Sequence, residues 1–369
     1  MKRRLRAAVG KGGGPAWQRR EQGQAAEVEA HRRGFEDAGW SFLYGEDTVY
    51  GAERPDEEKV ARASRQARSG PVPEQVLGPM MKPAVWTWEV PLYFWTGGIA
   101  AGSGFVALAC DLAGDHRSAA TARKVSLAAL APSPLLLISD LGRPERFLNM
   151  LRVFKPRSPM SMGAWCLTLY GNLIAGAVGA DLLDRGREAR ALGFAAALAG
   201  GYLGSYTGVL LASTAVPVWA RSRLFLGPIF VATGTATGAA ASRLALVATG
   251  VPEGHPTRIA LGRVETGAIA TELVLSEVNE RRLGPLAQAL EQGTAGRLFK
   301  GAKWAVRAGL ALRLLRGRLG PRSHHVASAL YLGAGLAFRY AWVAAGRTSA
   351  RDDRAVAETA RGVERSAAG

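Results

Sequence analysis

Residues 139–165 read SDLGRPERFLNMLRVFKPRSPMSMGAW. One apolar run ends just before this stretch and another begins inside it. Between them stand Asp140, Glu145 and five basic residues, Arg143, Arg146, Arg152, Lys155 and Arg157, stiffened by Pro144, Pro156 and Pro159. A turn between two soluble helices needs only a few polar groups. Arginine gathered in the gaps between apolar runs is the pattern of loops that flank membrane spans.

Working outward, apolar runs predict helices at 88–111, 121–140, 160–183, 191–216, 224–250, 259–280, 297–317 and 323–346. Each is near the roughly 20 residues that cross a bilayer. The sixth carries Glu265, Glu272 and Glu277; the seventh carries Lys300, Lys303, Arg307 and Arg313. Charge of that density also suits an interfacial helix. Short connections on both sides favour spans. The expected fold is all-α: a polytopic membrane protein of about eight transmembrane helices with a polar N-terminal extension.

The chain has 369 residues, a net charge of +17 and a pI near 10.6. A mean hydropathy of +0.03 hides a split between polar ends and a centre rich in Ala, Leu, Gly and Val. Without a DNA- or RNA-binding motif, the basic balance points to a membrane surface and not to nucleic acid. The basic start, MKRRLRAAVGKGGG, lacks the apolar stretch of a cleavable secretory signal. Lys and Arg are slightly more frequent on the N-terminal side, so both termini are expected in the cytoplasm.

Cys110 and Cys166 lie far apart in apolar runs. Two thiols make no zinc set and no iron–sulfur set, which takes about four thiolates. His31, His116, His255, His324 and His325 fall in the tail, in loops or at span ends. No mid-membrane pair stands ready to ligate haem. No metal site is expected in this chain.

Small residues recur in GGIAAGSG (97–104), GNLIAGAVGA (171–180), AGGYLGSYTG (199–208) and ATGTATGAAAS (232–242). Lipid offers helices no hydrophobic reason to pair, so small residues that admit close backbone contact do that work. In PAVWTWEVPLYFWTGG (83–98), Trp86, Trp88, Tyr93, Phe94 and Trp95 read as an interfacial aromatic belt. Glu89 there faces either a site or headgroup water. Tyr206 and Thr207 are hydroxyls within an apolar helix, for a ligand or for a neighbouring helix. Asp140, at the end of the second span, is costly unless paired or useful. Two readings stay open for it: a proton-handling group, or an ion pair that fixes the loop. Arg243, Glu265 and Glu272 read equally as a possible proton path or as ion pairs that fasten helices.

WTWEVPLYFWTGGIAAG, DLGRPERFLNMLRVFKPRSPMSMGAW and SYTGVLL, in that order, resemble the NrfD/PsrC family of polysulfide-reductase-type membrane subunits. The resemblance spans roughly 83–346. It implies two four-helix bundles, here 83–218 and 219–346, between an N-terminal extension (1–82), read as partly disordered, and a polar C-terminal tail (347–369). It implies a quinone, menaquinone or ubiquinone, bound near the membrane surface by Glu89, Tyr93 and Tyr206, and no haem. It implies a ferredoxin-like iron–sulfur subunit that passes electrons to or from a molybdopterin catalytic subunit, at the bacterial cytoplasmic membrane. Some relatives have His where this chain has Tyr93. Tyrosine donates a hydrogen bond but accepts a proton poorly near neutral pH, which leaves Asp140 as the proton-transfer candidate. Arg143, Arg146 and Arg157 would then present the loop to the iron–sulfur partner. Two other readings of the residues are a secondary transporter of small anions and a purely structural anchor.

Overall fold

The computed structural model describes residues 80–140, 147–320 and 322–360. The extension expected over 1–82 lies almost wholly outside the described residues, as do Arg143 and Arg146. The described residues are mostly helical, with no strand among them. Eight helices there have fifteen or more residues: α1 (Glu89–Leu112), α2 (His116–Leu130), α3 (Pro159–Leu182), α4 (Gly186–Ala212), α5 (Leu226–Ala248), α6 (Pro256–Leu283), α7 (Gly293–Leu314) and α8 (Arg322–Ala350). Five of them, α1, α3, α4, α5 and α8, are long and apolar enough to cross a membrane.

The helix ends follow local chemistry. Pro91 falls in the first turn of α1, where its missing N–H costs nothing. Asp115 caps α2 by accepting from the Ser118 amide at 3.1 Å. Ser158 caps α3, with Pro159 in its first turn, the position that suits proline. Gly114 and Gly250 have φ of 79°. There the next amide reaches back five residues, Asp115 to Cys110 and Val251 to Leu246, a helix stop that needs a left-handed residue.

One expectation is corrected. The run 121–140 is not one helix. It breaks after Leu130 and resumes as Ser133–Asp140, because Pro132 removes an amide and crowds the preceding turn. The polar tail expected from 347 is helical through Ala350 and again over Asp353–Ala360.

α1 and α5 form the centre. α1 packs along α2, α4 and α5; α5 packs along α4, α6 and α8; α3 pairs with α4 and α7 with α8. Successive long helices run in opposite directions. One end of the molecule therefore gathers the start of α1, residue Asp140, the α4–α5 connection and the C-terminal helix. There Trp86 stacks on Trp219 with centroids 5.3 Å apart, and the Met80 amide donates to Asp353 at 2.8 Å. The opposite end gathers the α1–α2, α5–α6 and α7–α8 connections, and Thr257 there donates to Asp115.

The aromatic belt is mostly core. Tyr93 and Phe94 are 1% exposed, and only Trp88 is open, at 56%. Trp95 is half-buried and donates to the Leu332 carbonyl at 3.0 Å.

Candidate functional site

Glu89 opens α1, buried, with the Thr87 hydroxyl donating to it. A carboxylate in the first turn also meets the positive end of the helix dipole. Tyr340 of α8 lies within electrostatic reach and donates to the Trp88 carbonyl at 2.9 Å. One turn further on, the Tyr93 hydroxyl is fully buried and has no hydrogen-bond partner among the described residues. Tyr206, on α4, lies within electrostatic reach of it, and so does Cys166 on α3. Tyr206 is held by contact: its ring lies on Gly163, where no side chain would fit, and stacks with Tyr202 at 6.1 Å.

Asp140 ends the short helix Ser133–Asp140 and is half-buried. The Ser133 hydroxyl meets that of Thr96, on α1, at 3.1 Å. This helix runs against α1, so seven residues at about 1.5 Å each carry Asp140 to the level of Glu89. Glu89, Tyr93, Tyr206 and Asp140 thus share one end of the molecule. Tyr93 and Tyr206 lie within electrostatic reach of each other and of Cys166, while Glu89 accepts from Thr87 near Tyr340.

At the same end lies an apolar cavity of about 280 Å³, lined by Leu130, Leu137, Met150 and Leu167 among others and by none of Glu89, Tyr93, Tyr206 and Asp140. It sits between α2, the 133–140 helix, the short helix Phe147–Arg152 and α3, and Leu167 is one residue from Cys166. Beyond it, Arg152, Val153, Phe154, Lys155 and Arg157 are all exposed. Phe154 packs edge-on against Trp165 at 5.8 Å.

The three groups read as a proton path do not form one chain. Arg243 donates to Ser328 at 3.2 Å, and Ser328 donates to Glu265 at 2.9 Å. Glu265 is paired with Arg313. Arg243 also donates to the backbone carbonyls of Arg258 and His324. These bonds join α5, α6, α7 and α8 as helix-fastening pairs do. Glu272 is separate: it accepts from Ser276 at 2.7 Å, with Lys303 and Arg339 as its nearest cations.

Sequence reasoning missed two buried arginines. Arg123 bridges Asp111 (2.5 Å) and Asp181 (2.6 Å), tying α1, α2 and α3 together. Arg339 lies 3.6 Å over the Phe230 ring and donates to the Phe230 carbonyl at 3.0 Å. Asp111 and Asp181 each sit near the end of an apolar run, and that placement was the available signal for Arg123. Arg339 is a lone cation in an apolar run and carried no such signal.

Outside the spans one carboxyl is clearly tuned. Burial raises the Asp115 pKa, but hydrogen bonds from Ser118 and Thr257 and the nearby His255 outweigh it, so its pKa lies below the usual carboxylate range.

An all-helical membrane protein with two buried tyrosines and a half-buried carboxyl at one end is the class these observations define. The family model described as polysulphide reductase, NrfD, matches residues 77–276, more than half of the chain. The chain belongs to the NrfD family, whose members are membrane subunits of polysulfide-reductase-like oxidoreductase complexes and generally associate with iron–sulfur and molybdenum-enzyme subunits. A search of curated proteins returned no match.

Proposed function

We propose that this chain is the quinone-reactive anchor of a membrane oxidoreductase, exchanging electrons with an iron–sulfur subunit that serves a molybdopterin enzyme. The observation that carries the reading is the Tyr93 hydroxyl, buried near Tyr206 and without a hydrogen-bond partner among the described residues. A buried donor left unpaired costs about 1–3 kcal/mol, a cost a ligand carbonyl would remove. The apolar cavity at the same end, which neither tyrosine lines, suits a hydrophobic ring. A quinone, menaquinone or ubiquinone, would supply the two-electron, two-proton chemistry. Tyr93 and Tyr206 would orient its oxygens, Glu89 would fix the entry of α1, and Asp140 would hold and release the proton near the surface.

The same reading has all eight long helices crossing the bilayer, in two four-helix bundles, at the bacterial cytoplasmic membrane. α6 supports it. It buries Glu265, Glu272 and Asn279 and turns Ile259, Val264, Val274 and Val278 outward. Between the exposed charges Arg263 and Glu277 its outer face carries no charge, which suits lipid there.

The test is quinol oxidation by the intact complex. Asp140→Asn should lower the rate about a hundredfold, the scale of a lost general acid or base. Tyr93→Phe should weaken quinol binding with the complex still assembled. Unchanged kinetics in both variants would leave a structural anchor as the better reading.

A further inference from the structure

At the end of the molecule opposite Tyr93, the helices α5, α6, α7 and α8 enclose a cavity of about 430 Å³. Four arginines line it, Arg243, Arg258, Arg263 and Arg313. The acidic counterweight is Glu253 in the wall and Glu265, already paired with Arg313. Two positive charges are left in excess. Each buried guanidinium is fixed in place by the fold. Arg258 donates to the Val251 carbonyl at 2.7 Å, Arg313 to the Gly262 carbonyl at 3.0 Å, and Arg243 as described above. Yet the Nε groups of Arg258 and Arg313 have no partner among the described residues.

Guanidinium groups do not give up protons in proteins, so four of them make a poor relay and a good anion cradle. Their fork of donors matches phosphate oxygens. The outer edge of the cavity is apolar except for Arg263. Ile259 and Leu314 line it and are both exposed, on helices whose outer faces are lipid-facing if they span. A soluble anion would enter past polar groups, whereas a lipid needs this arrangement of charge inside and hydrocarbon at the lip. Basic pockets between helices near the membrane surface are suited to anionic headgroups.

We propose that this cavity binds the phosphate group of an anionic membrane phospholipid, whose acyl chains run outward along Ile259 and Leu314. The lipid neutralises the excess charge and braces α5 through α8 at the end remote from Tyr93.

Native mass spectrometry of the detergent-purified complex tests this, with phosphatidylglycerol, phosphatidylcholine and inorganic phosphate each titrated separately. Phosphatidylglycerol should bind saturably and at least about tenfold tighter than phosphatidylcholine, a difference of about 1.4 kcal/mol. Arg263→Gln removes an exposed charge and should weaken that binding. Gly267→Phe fills the cavity without touching charge; nothing lies within 4 Å of where its Cβ would stand, so the helix tolerates it, and it should abolish the preference. Equal binding of the two lipids, or full phosphatidylglycerol affinity in Gly267→Phe, would overturn the proposal. Tight binding of inorganic phosphate with no lipid preference would assign the cavity to a soluble phosphate instead.

Discussion

At the residue scale, polar groups stranded in apolar helices were the readable signal. Glu89, Tyr93, Tyr206 and Asp140 stood out in sequence because each interrupts an apolar run, and the structure brings all four to one end. What could not be read was the choice of partner. Arg313 looked like one more charge on an amphipathic helix until Glu265 was placed against it. Asp115 shows how much one such partnership can fix. It caps α2, accepts from Thr257 at the start of α6, and so joins two loops 142 positions apart in sequence. Its depressed pKa means that this contribution is present above the unfolded value, near 3.9, and disappears as pH falls through the lower folded value. Asp115→Ala should therefore cost about 1–2 kcal/mol near neutral pH, the worth of a good N-cap. The gap to wild type in thermal unfolding in detergent should close below about pH 4. A gap that persists undiminished at pH 3 would show that shape alone, and not charge, sets the role of this residue.

At the element scale, the period of small residues carried real information about which helices touch. In GGIAAGSG and ATGTATGAAAS, Gly98 and Gly102 of α1 meet Gly234 and Gly238 of α5, backbone against backbone. A Cβ at Gly102 would overlap the Gly234 carbonyl, and one at Gly238 would stand 2.4 Å from Gly102. The third pattern behaves the same way, with Gly208 against the Leu226 carbonyl. The fourth, 171–180, makes no such backbone contact: Gly171 and Gly176 face the side-chain ends of Leu130 and Leu192, and a side chain at Gly179 would meet open space. Composition alone could not separate the two cases, because the glycines are alike in sequence and differ only in which way the helix is turned. Gly102→Leu should accordingly force α1 and α5 apart at the centre of the molecule. Overpacking of this kind costs about 1–3 kcal/mol or more. Gly179→Leu should be close to neutral. Both variants can be scored by the fraction that stays monodisperse after detergent extraction and heating. Equal survival would mean that the close crossing contributes nothing to stability. The break at Pro132 was equally available in sequence, and the apolar run on both sides of it concealed it.

At the scale of the whole molecule, the chemistry divides between two ends. The tyrosines, Asp140 and the exposed face at 152–157 occupy one; the arginine-lined cavity occupies the other. The family match stops at residue 276, short of the 346 to which the resemblance ran, so the partners of Arg313, Ser328 and Arg339 on α7 and α8 come from packing. Under the proposed function the first end meets the iron–sulfur subunit. Val153 and Phe154 are apolar and exposed between Arg152, Lys155 and Arg157, and buried apolar anchors ringed by charge are what protein interfaces use. The chain has only Cys110 and Cys166, both buried and on different helices. Clusters take about four thiolates, so iron and acid-labile sulfide that travel with this protein in stoichiometric amount must sit in a partner. Extraction of the full chain from its native membrane in mild detergent should yield both. The double variant Phe154→Asp and Arg157→Glu should keep the chain folded and lose them, because it reverses charge and removes the apolar contact on one small surface. A wild-type chain that travels alone and free of metal would remove the electron-transfer reading and bring the anion transporter forward. Retention of metal by the double variant would instead move the docking face away from 152–157, with the quinone reading intact.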